Sequence, residues 1–266
     1  MIIDSLQHID ISDPLIGCIA IGVIVILAMG LQLLTNKLIE IERFEAIHEV
    51  GGIYMSAVGT LYSVVLGMIL VNASEKFTEA RRYVGQEAEA LIQVYSGADQ
   101  MPIAHRSEIK ESIKNYVDGV IDDEWEMLSQ GKSHENTRVL FKKIWKALRS
   151  VEPITENQKT IYQIMVSSFM AAEQGRRERV NFLNYKITSI EWFTMIAGGL
   201  VNIAFTLFFS VRNSLAQSLM TGMVAFMVSI NLYAVFLLGD PFSGTREVPV
   251  DQFLFLQKYI AEGREL

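Results

Sequence analysis

Hydroxyl-bearing and small side chains recur at helical spacing inside one long uncharged segment of the chain. Ser56, Thr60, Ser63 and Gly67 lie three or four residues apart, so a helix places them on one side. We call these four residues the hydroxyl strip. Hydroxyl groups in such a strip can contact a partly dehydrated ion, whereas small residues also let two helices pack closely. On chemistry alone, both interpretations stay open.

The element that carries the strip changes character along its length. Residues 51–74 contain no acidic or basic side chain, and about 20 apolar residues are enough to cross the hydrocarbon core of a bilayer. From Phe77 to Tyr95, apolar residues recur every three or four positions among charged ones, which is typical of a helix packed along one side. No proline separates the two parts. The pattern predicts one helix that begins in lipid and ends in water.

The composition indicates that charge is segregated along the chain. Half of the 266 residues are hydrophobic, and 20% are charged. Four segments lack acidic and basic side chains, except for Arg212 at the end of the third or in the turn after it. Each of them is long enough to span a membrane. The four predicted transmembrane segments are residues 14–35, 51–74, 192–211 and 213–239.

These patterns predict an all-α polytopic membrane protein with four transmembrane helices and a helical cytoplasmic domain, in which long helices continue from the membrane into the cytoplasm. Soluble helices are expected at residues 103–130, 135–150 and 155–179. Only Gly175 interrupts the helical pattern between residue 155 and the third span, so the last of these helices is expected to run into that span. No strand-like alternation of useful length occurs. The predicted regions are an N-terminal segment with two spans (1–74), the soluble domain (75–190), two further spans (191–239) and a C-terminal tail (240–266).

Basic residues near the ends of the spans predict the orientation. Four spans place both termini and the soluble domain on the same side of the membrane. That side carries the larger number of basic residues close to the spans, so the positive-inside rule assigns it to the cytoplasm, although the acidic N-terminus points the other way. We therefore expect a multi-pass protein of the bacterial inner membrane, with cytoplasmic termini and a cytoplasmic 75–190 domain.

The sequence lacks the usual signatures of an enzyme. The four histidines are scattered, and no HExxH motif, phosphate-binding glycine motif or GxSxG elbow occurs. The single cysteine, Cys18, excludes an internal disulfide and a cysteine-based zinc site. We therefore predict no catalytic residues, no metal and no cofactor.

The charge balance argues against a nucleic-acid partner. The chain carries 23 Lys and Arg against 30 Asp and Glu, a net charge of −7. Contacts to phosphates need clustered Lys and Arg, and the only dense cluster is Arg176, Arg177 and Arg179. The densest acidic cluster is Asp122, Asp123, Glu124 and Glu126. It is read as a solvated helix face rather than a site for a divalent cation, because adjacent helical residues point to different sides.

Polar groups within the spans are amides rather than charges. Asn72, Asn202 and Asn231 lie within or at the ends of spans, where an amide bonds a neighbouring helix or lines a water path. No Asp, Glu, Lys or Arg occupies the middle of a span, whereas proton-coupled carriers and voltage sensors usually need such groups. A passive path or a function other than transport fits better.

Two blocks of the sequence resemble a known family. They are the run YSVVLGMILVNASEKFTEARRYVGQEAEALIQVY, with Glu124-Trp125 further on, and the closing run LMTGMVAFMVSINLYAVFLLGDPFSGTREVP. Both are similar to the prokaryotic bestrophin-like domain family, long carried as a domain of unknown function. The resemblance covers nearly the whole chain except residues 1–50.

The resemblance implies a distant likeness to bestrophins, which are pentameric chloride channels with four spans, cytoplasmic termini and a pore lined by the second span. This sequence departs from that pattern in two places. The hydroxyl strip stands where bestrophins carry stacked bulky apolar residues in the neck of the pore. A contiguous acidic calcium clasp near the C-terminus is also missing, since only Glu247 and Asp251 lie there.

The functional expectation is a homo-oligomeric ion channel, pentameric by resemblance and permeable to anions, whose partners are the bilayer, inorganic ions and copies of itself. The predicted lining is the hydroxyl strip, with Leu66 or Leu70 as the dewetting constriction. Arg81 and Arg82 concentrate anions at the mouth or are plain surface charge. The alternative is a non-conducting membrane scaffold or sensor whose cytoplasmic helices bind a partner.

A turn after the fourth span is the last candidate. Asp240, Pro241 and Gly244 are expected to end that helix and to direct the chain away from it, since proline cannot continue a helix and glycine permits a tight turn. Ligand binding at this turn is the alternative.

Overall fold

The structure is a computed structural model that describes residues 13–38, 48–208, 213–243 and 247–263. All regular elements in these ranges are helices, and none of the described residues is in a strand. The helices are α1 (Pro14–Leu38), α2 (His48–Gly97), α3 (Ile103–Gly119), α4 (Trp125–Ser129), α5 (Glu135–Arg149), α6 (Glu156–Asn181), α7 (Ser189–Leu207), α8 (Ser214–Leu238) and α9 (Asp251–Glu262).

Four of these helices are long and apolar enough to cross a membrane, which confirms the four predicted spans. They are α1, α2, α7 and α8. Helix α2 has 50 residues, of which only the first half is apolar. The prediction of one continuous helix that runs from an apolar segment into a charged one is confirmed.

The described chain forms two compact units. The membrane unit comprises residues 13–38, 48–75, 186–208 and 213–240, and the soluble unit comprises residues 76–185, 241–243 and 247–263. Helix α2 contributes its first half to the membrane unit and its second half to the soluble unit.

In the membrane unit, glycines permit close approaches between spans. A Cβ at Gly222 of α8 would lie 2.9 Å from Sδ of Met29 on α1. Tyr62 of α2 lies against Gly198 and Gly199 of α7, and its hydroxyl donates a hydrogen bond to the carbonyl of Met195 at 3.1 Å. Small residues at such crossings let the backbones approach, as is usual in membrane bundles.

In the soluble unit, one apolar core lies between α2, α3, α5, α6 and α9. Aromatic rings fill its centre, with the ring of Phe169 stacked on Phe141 at 4.9 Å and on Trp145 at 5.1 Å between centroids. Helix α9 adds the fully buried Phe253 and Leu256. The helices of this unit are therefore held by apolar burial, as their spacing predicts.

One sequence-based boundary is wrong, and one helix is less regular than expected. The helical run expected at 103–130 is present and ends at Ser129, but a π-helical segment, Val120–Glu124, separates α3 from α4 within it. The helix expected from residue 155 does not run into the third span, because α6 ends at Asn181. Helix α7 then starts with a capping box. The Thr188 hydroxyl oxygen accepts a hydrogen bond from the backbone N–H of Glu191, and the Glu191 carboxylate accepts one from the backbone N–H of Thr188.

Candidate functional site

The hydroxyl strip lies on the surface of the chain. Ser56, Thr60, Ser63 and Gly67 are all exposed, and a Cβ at Gly67 would meet nothing within 4 Å. In the apolar window of α2, only 6% of the residues are buried. A membrane helix so little covered by its own chain is free to contact lipid, water or another copy of the protein.

Two of the three hydroxyl groups of the strip, those of Thr60 and Ser63, donate to their own helix. Thr60 Oγ1 donates to the carbonyl of Ser56 at 2.7 Å, and Ser63 Oγ donates to the carbonyl of Gly59 at 2.8 Å. A hydroxyl that donates in this way keeps its lone pairs for a second partner. In this conformation, the strip therefore presents acceptors, which suit a cation or a water molecule. An anion requires the hydroxyl to rotate.

An open depression of about 760 Å³ lies at the N-terminal end of the strip. Ser56 and Thr60 line it together with Gly52 and Ala57. Two of the four strip residues therefore share one concave surface.

The two predicted constriction residues differ in burial. Leu66 is only 5% exposed and packs in a cluster with Met195 and Val235 of the neighbouring spans, whereas Leu70 is half-buried at the edge of that cluster. A side chain packed within its own chain does not project into a path between chains. Leu70 is therefore a better candidate for the constriction than Leu66.

Arg81 and Arg82 are both exposed. The Arg82 guanidinium lies 3.7 Å from Glu79 and 5.1 Å from the centroid of the Tyr83 ring. On an ideal helix with 3.6 residues per turn, Arg81 points close to the direction of Ser63, and Arg82 points about 100° away from Arg81. Arg81 is therefore the better candidate for a charge in line with the strip.

Two of the asparagines of the spans, Asn202 and Asn231, bond their own helices. The side-chain amide of Asn202 donates to the carbonyl of Gly198 at 2.8 Å, and that of Asn231 donates to the carbonyl of Met227 at 2.7 Å. Asn202 and Asn231 line a cavity of about 320 Å³ together with Ser63. The expected bond from these amide groups to a neighbouring helix is not present, whereas their placement beside Ser63 leaves the water-path interpretation open.

A buried charged cluster, which the sequence did not predict, lies in the soluble unit. Its members are Glu87, Tyr116, Glu124, Arg176 and Arg179, of which all but Arg176 have side chains without exposed surface. Arg179 donates from Nε to Glu87 Oε2 at 2.8 Å and from Nη2 to Glu124 Oε2 at 3.3 Å. The Tyr116 hydroxyl donates to Glu87 Oε1. Two carboxylates thus face two guanidinium groups, and the charges balance.

Aromatic rings surround the central arginine. The Arg179 guanidinium carbon lies 5.8 Å from the centroid of Trp125 and 5.6 Å from that of Phe253. Within the described residues, Nη1 of Arg179 has no hydrogen-bond partner. The cation–π attraction to the two rings partly offsets the missing hydrogen bond. Replacing a guanidinium in such a position with an ammonium group is not conservative.

The protonation of the cluster follows from burial and neighbouring charge. Burial raises the pKa of Tyr116 well above its ordinary value, and the carboxylate of Glu87 raises it further. Burial alone would lower the pKa of Arg179, but the carboxylates of Glu87 and Glu124 outweigh it and raise that pKa well above the ordinary value. Tyr116 therefore stays neutral and Arg179 stays charged at physiological pH.

Local backbone geometry brings Glu124 into this cluster. Glu124 ends the π-helical segment, whose wider turn shifts the direction of the side chains that follow. Asp122, Asp123 and Glu126 are exposed, as expected of a solvated face, but Glu124 is not. The solvated-face interpretation is therefore wrong for Glu124.

Helices α2 and α6 meet most closely at Glu87. A Cβ at Gly175 of α6 would lie 2.9 Å from the backbone nitrogen of Glu87 and 3.0 Å from the carbonyl oxygen of Tyr83. Further along the same pair of helices, Ser168 Oγ donates to Gln93 Oε1 at 2.7 Å. The glycine that was expected to interrupt α6 instead allows the contact between two backbones.

The membrane unit contains a second buried polar cluster, made of uncharged groups. Thr221 donates to Gln32 at 3.1 Å, Gln32 donates to Asn36 at 3.1 Å, and Asn36 donates to Gln217 at 3.0 Å. We call these four residues the amide ladder. It joins α1 to α8, and Gln32, Gln217 and Thr221 are at most 3% exposed.

The turn after the fourth span is only partly described. Helix α8 ends at Leu238, with Gly239 as its C-cap residue and Pro241 two positions later. The carbonyl of Pro241 accepts a hydrogen bond from the backbone of Val248 at 2.7 Å. Gly244 lies outside the described residues.

Sequence patterns contained only indirect signals for the two clusters. Glu87 interrupts a run of buried positions on α2, and Gln32 and Gln217 interrupt two apolar spans. Each is a polar residue at a position where the helical period predicts an apolar one. Nothing in the local sequence indicates the partners, because Arg179 lies 92 positions from Glu87 and Thr221 lies 189 positions from Gln32.

The fold consists of four spans and a helical soluble unit, and one long helix belongs to both parts. Bacterial bestrophin homologues have the same fold. One solved structure of such a homologue from Klebsiella pneumoniae, a point variant, matches with a TM-score of 0.70 at 12% identity and covers 91% of this chain and 98% of that chain. A second structure of the homologue matches with a TM-score of 0.69 at 11% identity, over 91% of this chain and 97% of that chain. No curated protein matches this sequence.

The sequence comparison identifies the family. The family description "Bestrophin-like domain" matches residues 22–253, which is most of the chain. The chain therefore belongs to the bestrophin-like domain family, which confirms the resemblance read from the sequence.

Proposed function

We propose that this protein is a homo-oligomeric ion channel of a bacterial inner membrane, pentameric like the bestrophins that it resembles, with the first half of α2 lining a central path. The observation that carries the proposal is the exposure of the hydroxyl strip on a helix of which the chain covers only 6% in the apolar window. Copies arranged around an axis would cover the rest of α2 and leave the strip facing water. The fold of a bestrophin homologue agrees with this arrangement.

Within this channel, the strip provides the polar contacts, and the half-buried Leu70 forms the dewetting constriction. Gly67 adds no side chain and so leaves the path wide. Arg81 is exposed and follows the strip on the same side of an ideal helix. Its positive charge raises the local concentration of anions. We therefore propose anion permeation, with Arg81 as the main charge and Arg82 beside it.

A specific observation supports a second candidate, conduction of cations. Thr60 and Ser63 donate their hydroxyl hydrogens to backbone carbonyls and so present lone pairs outward. Oxygen lone pairs replace the hydration shell of a cation. The sign of the permeant ion then depends on whether the charge of Arg81 or the orientation of these hydroxyl groups has the larger effect.

Flux through liposomes tests the channel function. Purified oligomer is reconstituted with a chloride gradient in one set of vesicles and a potassium gradient in another. We expect flux above that of empty vesicles, with chloride faster. Potassium flux without chloride flux supports the cation candidate. No flux of either ion, from a preparation shown to be an intact oligomer, leaves the scaffold or sensor as the remaining function.

A matched pair of variants tests the lining. Ser63→Leu places an apolar side chain in the strip, whereas Val65→Leu changes an exposed residue on the opposite side of the helix, about 180° from the strip. Because an apolar constriction dewets a narrow path, we expect Ser63→Leu to reduce the flux strongly and Val65→Leu to leave it unchanged. Equal flux from the two variants would contradict the lining proposed here.

A further inference from the structure

Three spans of the membrane unit, α2, α7 and α8, form the walls of the cavity that Asn202 and Asn231 line. Its volume of about 320 Å³ lies within the usual range for sites that bind small molecules. Leu66 and Asn202 in its wall are each only 5% exposed, whereas Met223 and Met227 are exposed. The cavity is therefore a recess that opens at the surface of the membrane unit.

More than half of the residues that line this cavity are apolar. Leu66 of α2 and Val224 and Val228 of α8 supply branched aliphatic surface, and Met223 and Met227 of α8 supply flexible thioethers. Methionine side chains adjust to bound molecules of different shape. None of the described residues of the lining carries a carboxylate, an ammonium or a guanidinium group. This lining suits a neutral and largely apolar ligand.

The four polar side chains of the lining all donate to backbone carbonyls. The Tyr62 hydroxyl donates to the carbonyl of Met195 at 3.1 Å, and the Ser63 hydroxyl donates within α2. The amides of Asn202 and Asn231 each donate to their own helix and keep one further N–H. The two hydroxyl oxygens and the two amide oxygens retain their lone pairs. The capacity that is left for a ligand is therefore mainly that of acceptors, which require a donor.

The two asparagines differ as acceptors. Oδ1 of Asn202 lies against α2, where it would be 3.3 Å from a Cβ at Gly59. Asn231 is half-buried and lies on the same helix as the exposed Met223 and Met227. The amide oxygen of Asn231 is therefore the more accessible acceptor.

Neither hydrocarbon nor water suits both parts of the lining. A lipid tail alone offers no donor to the amide oxygens, and a polar group in apolar surroundings is costly when it lacks a hydrogen bond. Water alone would lie against aliphatic side chains, and apolar cavities stay dry. One hydroxyl group on an aliphatic chain satisfies both parts. The volume is that of about ten water molecules in the liquid, which suits a chain of about eight carbons.

We propose that the membrane unit binds a neutral aliphatic alcohol from the bilayer in this cavity. The chain packs against Val224, Val228 and Met227, and the hydroxyl donates to the amide oxygen of Asn231. Binding rests on the contacts of α2, α7 and α8 alone, so it does not depend on whether the protein conducts ions.

Photolabelling of the intact oligomer in lipid vesicles tests this site. The probe is an octanol that carries a diazirine on its chain, and mass spectrometry locates the label after illumination. We expect label on Tyr62, Met223 and Met227 well above that on Leu219 and Met220, which are exposed on α8 but lie outside the cavity. Label spread evenly over these exposed residues, or absent from the cavity because a neighbouring copy covers it, would overturn the proposal.

Two competitors test the role of the hydroxyl group. Unlabelled 1-octanol donates a hydrogen bond, whereas octyl methyl ether keeps the eight-carbon chain and has no donor. We expect 1-octanol to compete about tenfold more effectively, the effect of one hydrogen bond to an otherwise unpaired acceptor. Asn231→Leu keeps the size of the side chain and removes the acceptor, so the two competitors should become equal. Equal competition in the unaltered protein, or an unchanged preference in Asn231→Leu, would refute recognition by Asn231.

A cavity-filling variant tests the location. Val224→Phe adds volume inside the cavity and should abolish the label on Met223 and Met227, whereas Met220→Phe makes a comparable change at an exposed position outside it. Label that persists in Val224→Phe would show that the alcohol binds elsewhere. The labelling pattern and the competition do not require this variant, so they decide the proposal even if Val224→Phe fails to fold.

Discussion

The membrane unit and the soluble unit both bury polar side chains between helices, but they use different chemistry. The amide ladder joins α1 and α8 through neutral groups. The charged cluster joins α2, α6 and the π-helical segment Val120–Glu124 through two carboxylates and two guanidinium groups, and α3 adds the hydroxyl of Tyr116. A charge within a bilayer costs about 2.5–3.5 kcal/mol on insertion scales, and an amide costs less because its hydrogen bonds can all be made within the bundle.

The two chemistries give different kinds of constraint. A neutral amide that loses its partner in the membrane unit can bond its own helix, as Asn202 and Asn231 do here. A buried carboxylate that loses its guanidinium has no comparable alternative. We therefore expect the ladder to add a little stability and the cluster to specify one arrangement of its helices, and the following variants test that difference.

The largest effect is expected for Arg179→Met. This variant leaves Glu87 without its guanidinium, and removing one member of a buried ion pair typically costs about 3–5 kcal/mol. Unfolding of the detergent-solubilised oligomer, followed by circular dichroism, measures the loss. Arg177→Met is the control, since Arg177 is exposed and should change stability by less than about 0.5 kcal/mol. Similar losses of stability for the two variants would show that the buried cluster contributes no more than an exposed arginine does.

The sequence predicts the elements better than it predicts these clusters. Uncharged runs and helical periods are local properties, so the four spans and the continuous helix α2 follow directly from them. Glu87 occupies a position where the helical period of α2 predicts an apolar residue, but no local pattern identifies its partner, and only the fold brings Arg179 to it. Glu124 faces inward only because a π-helical turn precedes it, and no propensity rule predicts that turn.

The candidate lining shows the same limit. Spacing alone groups Leu66 with the residues near the strip, but packing against Met195 and Val235 buries it, and this depends on contacts between distant parts of the chain. The exposure of Ser56, Thr60, Ser63 and Gly67 agrees with a common face, which follows from helical geometry. Their contact with an ion stays a prediction.

A smaller effect, of about 1–3 kcal/mol, is expected for Gly175→Ala. The added methyl group would lie 2.9–3.0 Å from backbone atoms of α2, which cannot move aside as a flexible side chain can. Gly85→Ala is the matched control on α2, because its methyl group would meet nothing within 4 Å, and loss of a helical glycine should stabilise by about 0.5–1 kcal/mol. If thermal unfolding shows that Gly175→Ala lowers stability and Gly85→Ala raises it, the close backbone contact at the cluster is supported. Stabilisation by both variants would contradict it.

The smallest effect is expected in the amide ladder. Gln32→Leu removes the interhelical bond to Thr221 and the bond to Asn36 within α1. An interhelical hydrogen bond in a membrane contributes about 0.6 kcal/mol, so the total loss should be about 1 kcal/mol. Thr221→Val and the double variant complete a cycle, whose coupling energy isolates the bond between the two side chains. Because neutral amides find alternative partners within a bundle, we expect this coupling to lie well below the loss in Arg179→Met. A coupling of several kcal/mol would show that uncharged groups specify the membrane unit as strictly as charges specify the soluble one.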